Sequence, residues 1–157
     1  MADDIYLTRE GNEKMYQALQ DLKTERGKIA KAIEEARLQG DLSENAEYDA
    51  AKEAQGHNNA RVQDLEDKLS RVRVIEDVDI PGDRIYIGAI AKLLDRQSNE
   101  EVVYQLLSEE ESNYEENKIS IYSPIGKALM GKAEGEEVTA HVPAGILKYK
   151  VLKIDRP

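Results

Sequence analysis

The chain has no cysteine, no tryptophan and no phenylalanine. Without cysteine neither a disulfide framework nor a thiolate metal site can be built, which fits a reducing cytosol. Peptidyl-prolyl isomerase sites are lined by aromatic rings, and the missing Phe and Trp count against that activity. Long apolar runs are absent too. Nothing approaches the ~18 residues of a membrane span, and Met1-Ala2-Asp3-Asp4 lacks the basic and apolar regions of a signal peptide. The expectation is a cytoplasmic protein without a membrane partner. Histidine is scarce: His57 and His141 are the only two, set in helix-like and strand-like segments respectively, where structural roles are expected. There is no glycine-rich phosphate loop and no metal-spaced histidine pair.

What the chain has is charge. Basic residues number 22 and acidic residues 32, for a net charge of -10. Up to Ile75 there are twelve basic and sixteen acidic residues, and beyond it ten and sixteen. Neither part is basic, so free nucleic acid is repelled unless a local cluster binds it. Its 157 residues suffice for one ordinary domain or two small ones.

No proline occurs between Thr8 and Ile75, and helix formers dominate there. Met15, Leu19, Leu22, Arg26, Ile29, Ile33 and Ala36 follow at alternating four- and three-residue steps, a heptad seam. Beyond Gly40 the spacing resumes with Tyr48, Ala51, Gln55, Asn58, Val62, Leu65, Leu69 and Val72. Two such helices predict an antiparallel coiled-coil hairpin. Folding about the turn sets Leu22 near Val62 and Arg26 near Asn58, so Arg26, Gln55 and Asn58 form a polar middle layer. Some 30 residues of helix make an arm of about 45 Å.

Ile80-Pro81-Gly82-Asp83 marks the boundary between modules at 1–78 and 79–157. Strands are expected over 84–94, 102–107 and 118–122. A short helix runs from Ser123-Pro124 to Met130, capped by the serine with proline at its first position. A closing hairpin follows around Pro143-Ala144-Gly145. The acid-rich run 108–117 is expected as a solvated loop. The fold class is α+β: a helical hairpin, then a small antiparallel sheet with one packed helix.

The hairpin turn, residues 40–48, gathers Asp41, Glu44, Asn45 and Glu47. Asp41 with Glu44 three residues later forms a capping box at a helix start, which acids favour. A second reading is that a long arm exists for reach, and that its terminal carboxylates complete a metal site belonging to a partner, since a lone turn cannot close one. Arg26, Lys28, Lys31, Arg37, Lys52 and Arg61 are either a solvated helix face or a guide for a nucleic-acid strand.

At this point the residues resemble a known family. Gly40-Asp41-Leu42-Ser43-Glu44-Asn45-Ala46-Glu47-Tyr48, continuing into Ala50-Ala51-Lys52-Glu53, is similar to the signature of the bacterial Gre transcript-cleavage factors. Ile119-Ser120-Ile121-Tyr122-Ser123-Pro124-Ile125-Gly126 resembles their second signature, and the resemblance extends over essentially the whole chain. It implies a transcription elongation factor that inserts its coiled coil into the secondary channel of bacterial RNA polymerase. There it stimulates Mg²⁺-dependent cleavage of the backtracked nascent RNA 3′ end, without being a nuclease itself. Carried over, Asp41 and Glu44 are the catalytic, metal-assisting pair, with the Mg²⁺ shared with the polymerase. Asn45, Tyr48, Arg37 and Lys52 contact RNA or polymerase. The second module is implied to be FKBP-like and to dock on the channel rim through Ile121 to Gly126, including Ser123 and Pro124. The free protein is expected to be a monomer. Acids interrupt the mid-arm basic cluster, as in A-type members, which implies short cleavage products. The nearest rival is a Gre-like inhibitor that blocks the channel, which the intact Asp41 and Glu44 disfavour. A coiled-coil chaperone should carry an apolar turn, where this one has only Leu42.

Overall fold

The computed structural model describes residues 3–40 and 45–157. These fall into two compact units, one of residues 12–72 and the other of 3–11 with 73–157.

The first unit is built on helices α1 (Arg9–Arg37) and α2 (Ala46–Ser70). Leu19 and Ala36 on α1 are buried, as are Asn58 and Val62 on α2. Met15, Leu22, Ile29 and Ile33 are half-buried, and so are Tyr48, Ala51, Gln55, Leu65 and Leu69. This is the seam the heptad spacing predicts, with one correction: Arg26 is exposed. Its long stem carries the guanidinium out to water, which avoids the desolvation cost of an interior charge. Asn58 stays inside and donates from Nδ2 to the Leu22 carbonyl at 2.9 Å. A helix carbonyl points toward the residue four positions on, so this bond sets Asn58 level with Arg26, in the antiparallel register read from the sequence. Asn58 is 2% exposed, and its Oδ1 has no partner.

Helix α2 stops at Ser70, short of the expected Ile75. Val72-Arg73-Val74 alternates with period two and is β-branched, which favours strand over helix. It forms β2 (Val72–Val74), paired with β1 (Ile5–Leu7). Neither strand is anticipated by the heptad reading.

The main sheet of the second unit contains β3 (Ile90–Asp95), β4 (Glu101–Leu107), β5 (Lys118–Ser120), β6 (Glu137–Val142) and β7 (Gly145–Asp155), in the order β5-β4-β3-β7-β6. It is mixed rather than wholly antiparallel, because β4 and β5 run parallel. Between them, single helical turns at Glu109–Glu111 and Tyr114–Glu116 return the chain so that Lys118 lies opposite Gln105. The strand expected from Arg84 begins only at Ile90. Gly88 adopts a φ of +91°, which breaks the extended run, and its N–H donates to Leu106. Helix α3 (Pro124–Leu129) completes the unit. Leu129 joins Ile85, Ala91, Leu93, Leu106, Ile119, Val138, Tyr149 and Val151 in the core. Burial, with Tyr104 beside it, pushes the Tyr149 phenol up to about 12, so it is a neutral core group.

The first turn of α1 belongs to this second unit. Thr8 is its cap: the hydroxyl accepts the Gly11 N–H at 3.0 Å and donates to Glu111 Oε1, while the Thr8 N–H donates to Glu111 Oε2 at 2.8 Å. Glu76 accepts the Arg9 N–H at 2.8 Å, and the Arg9 guanidinium meets Asp77 at 2.6 Å. Two carboxylates thus face the positive end of the helix dipole. Gly11 permits this, since a Cβ there would collide with the Glu111 carboxylate. Glu111 is therefore not part of a solvated loop as expected, and residues 3–11 group with the sheet rather than with the arm.

Replacing the buried Asn58 by leucine is expected to raise stability by about 1 kcal/mol, because a buried acceptor without a partner costs ~1–3 kcal/mol. The Leu22 carbonyl keeps its helical bond, and urea denaturation of the whole chain measures the change. By the same assay Glu111→Ala is expected to cost about 1.5–3 kcal/mol, because the Thr8 N–H and hydroxyl lose their charged acceptor.

Candidate functional site at the hairpin turn

Helix α1 ends in a loosened turn, in which the Leu38 N–H is shared between Glu34 and Glu35 and the Gln39 N–H reaches Ala36. Gly40 follows with a φ of +119°, open to glycine at little cost. Asp41 and Glu44, the expected catalytic and metal-assisting pair, lie outside the described residues. Helix α2 then opens with Asn45 as its cap, Oδ1 accepting the Tyr48 N–H at 3.1 Å. The cap of α2 is thus the Asn45 side chain, while the capping box expected of Asp41 and Glu44 lies outside the described residues. Asparagine is as good a cap as aspartate. The other end of the same amide donates to the Ala36 carbonyl at 2.6 Å.

The remaining predicted residues separate by environment. Tyr48 is half-buried in the seam. Arg37, the last residue of α1, is exposed, as is Lys52, whose Nζ donates to Gln55 Oε1 at 3.1 Å. Arg26, Lys28, Lys31 and Arg61 are exposed, interspersed with the exposed Glu25, Glu34 and Glu35. Among the described residues no three His, Cys, Asp or Glu side chains cluster as metal ligands. Likewise, among them, no helix is long and apolar enough to cross a membrane. His57 lies on the exposed side of α2, 3.7 Å from Glu53, and His141 is exposed on β6.

Ser123 and Pro124 sit where the sequence puts them, and the structure gives each a local task. The Ser123 hydroxyl accepts the Gly126 N–H at 3.0 Å and donates to the Ser120 carbonyl at 2.6 Å. Pro124 opens α3, where its fixed φ and missing N–H cost nothing. Gly126 packs so tightly on the Ser120 carbonyl that no Cβ fits. What this segment shows to solvent is Tyr122, 67% exposed, with Pro124 and Lys127. Tyr122 was not singled out from the sequence. Its position between Ile121 and the capping Ser123, two residues beyond the buried Ser120, was the available signal.

The described residues thus form a heptad-paired helical unit and a mixed five-stranded sheet with one helix. Residues 5–74 match the family model described as transcription elongation factor, N-terminal, and residues 80–156 match transcription elongation factor, GreA/GreB, C-term. The chain belongs to the GreA/GreB family of transcription elongation factors. It is 47% identical to transcription elongation factor GreA of Prosthecochloris aestuarii, covering 98% of each chain. With GreA of Caldanaerobacter subterraneus it shares 45% identity, over 99% of this chain and 100% of that one. Among solved structures, GreA factor homolog 1 of Thermus thermophilus is 30% identical, covers 97% of this chain and 99% of that one, and has a TM-score of 0.44. The relatives are named as elongation factors, not as nucleases.

Gly126→Ala is expected to destabilise the second unit by more than about 2 kcal/mol, because backbone rather than a flexible side chain occupies the space. Ser123→Ala should cost about 1 kcal/mol, the value of a helix cap. Chemical denaturation followed through Tyr absorbance measures both.

Proposed function

We propose that this chain binds bacterial RNA polymerase, passes its helical hairpin through the secondary channel and stimulates cleavage of backtracked nascent RNA 3′ ends. Support comes from family membership across both segments of the chain. The observation that carries the reading furthest is the cap of α2. The uncharged Asn45 fills that place, so the helix does not require Asp41 there, and the acidity of the turn is left in need of another reason.

The donor set fits the chemistry. Two carboxylates are hard oxygen ligands suited to Mg²⁺, and two cannot complete its octahedron. Asp41 and Glu44 would therefore hold a Mg²⁺ together with ligands of the polymerase active site. Bound there, Mg²⁺ supplies an activated water as nucleophile. Asp41 and Glu44 hold and orient, while the exposed Arg37 and Lys52 flank the turn and contact phosphates of the extruded RNA. Cutting remains an activity of the polymerase, and this chain alone does not cleave RNA. The second unit docks on the channel rim through the surface around Tyr122, Ser123 and Pro124. The factor works in the cytoplasm as a monomer.

Asp41→Asn and Glu44→Gln keep shape and remove charge. Each is expected to lower cleavage in stalled elongation complexes by 100-fold or more, with helix content, Tm and polymerase binding unchanged. The variants should compete with the parent and inhibit it. Cleavage at the parental rate by both would show that the carboxylates do not carry the reaction. A parent that binds polymerase and slows transcription without cleavage would instead be a channel-blocking inhibitor.

A further inference from the structure

The Asn45 side chain spends its two ends on two different helices. Oδ1 accepts the Tyr48 N–H at 3.1 Å, one of the donors that the first turn of α2 leaves unpaired. Nδ2 donates at 2.6 Å to the carbonyl of Ala36, nine residues earlier in the chain. Ala36 is a buried seam residue, 2% exposed, and its carbonyl, in the last turn of α1, also accepts the Gln39 N–H at 3.2 Å. A single amide therefore ties the last turn of one helix to the first turn of the next.

Capping alone would not require asparagine. Serine, aspartate and asparagine serve about equally as acceptors at this position. The bond to Ala36 needs a donor on the same side chain. Aspartate has no donor when ionised, and serine ends one atom short of the Nδ2 that donates to Ala36. Of the good caps, asparagine alone makes both bonds here. Without the second bond, the end of α1 and the start of α2 are held together only by the helix packing behind them.

We propose that Asn45 is a positioning residue for the cleavage reaction: by clasping α1 to α2 it sets the frame from which Asp41 and Glu44 are presented. The inference rests on the function proposed above. Asn45 acts through the carboxylates rather than on RNA or polymerase. Its loss therefore lowers the rate within the bound complex and leaves affinity alone, because catalytic groups displaced by as little as ~1 Å lose about 100-fold in rate.

Asn45→Ser separates clasp from cap, since it keeps the acceptor for Tyr48, adds no charge and cannot reach Ala36. Full-length parent and variant are titrated into stalled elongation complexes, and the maximal cleavage rate and half-saturating concentration are read separately. The expected result is a 10- to 100-fold lower maximal rate at an unchanged half-saturating concentration, with unchanged helix content. A maximal rate within twofold of the parent overturns the proposal. So does a loss confined to half-saturation, which would make Asn45 a contact residue, and so does a matching loss of helix content, which would make it a folding residue only. Amide hydrogen exchange of the free proteins tests the clasp without reference to cleavage. Exchange at Leu38 and Gln39 should quicken at least tenfold in the variant while Tyr48 stays protected. Equal exchange in both proteins refutes the clasp even if cleavage falls. A parent that never cleaves, alongside exchange that does quicken, would sink the cleavage reading and leave the clasp standing.

Discussion

A helix leaves its first N–H groups and last carbonyls without internal partners, and much of this molecule is arranged around meeting that demand. Thr8 and the carboxylates of Glu111 and Glu76 serve the start of α1, Asn45 serves its end and the start of α2, and Ser123 serves the start of α3. Each of these groups also does something else. Glu111 comes from a helical turn 103 residues further along and ties the root of α1 to the sheet. Asn45 joins two helices. Ser123 fastens α3 to the end of β5 through the Ser120 carbonyl. The motif that resembles a docking signature is, in its buried part, the means by which a six-residue helix is held in place.

The arm faces the opposite problem. Two helices have one shared face, so their core is a single stripe in which Leu19, Ala36 and Val62 are the only buried apolar residues among those described. Such a stripe tolerates few errors and offers little to distinguish one alignment from another. The buried Asn58, bonded to the Leu22 carbonyl, supplies the distinction at a cost in stability. Arg26 was read as part of that layer and is not, because a side chain long enough to reach water does so.

Where a pattern repeats, the sequence was legible. The heptad steps from Met15 to Ala36 and from Tyr48 to Leu69 specify both helices and their pairing, and Ser123-Pro124 specifies α3. Legibility failed where structure depends on residues far apart. Nothing local to Glu111 tells it from its neighbours Glu109 and Glu110, since what distinguishes it is the helix end it meets. The parallel pairing of β5 follows from the path of the intervening loop, not from Lys118-Ile119-Ser120. Val72 kept the helical spacing by coincidence, and only its β-branched neighbours Val74 and Ile75 hinted at a strand. At the turn, the residue types were legible but their division of labour was not. The cap was expected at Asp41, whereas Asn45 caps α2 with one end of its amide and meets the Ala36 carbonyl with the other.

The bond between Thr8 and Glu111 also bears on how such proteins can be recombined. A hairpin cut from the sequence as residues 1–78 would carry Thr8 and Gly11 away from the carboxylate that completes them. It would leave Glu111 behind with its acceptors unused. A graft taken as residues 12–72 leaves the whole root with its own sheet. Arms exchanged between relatives are therefore interchangeable parts only when the seam of the exchange falls inside the first turns of α1, after Gly11, and not at the visible start of the chain.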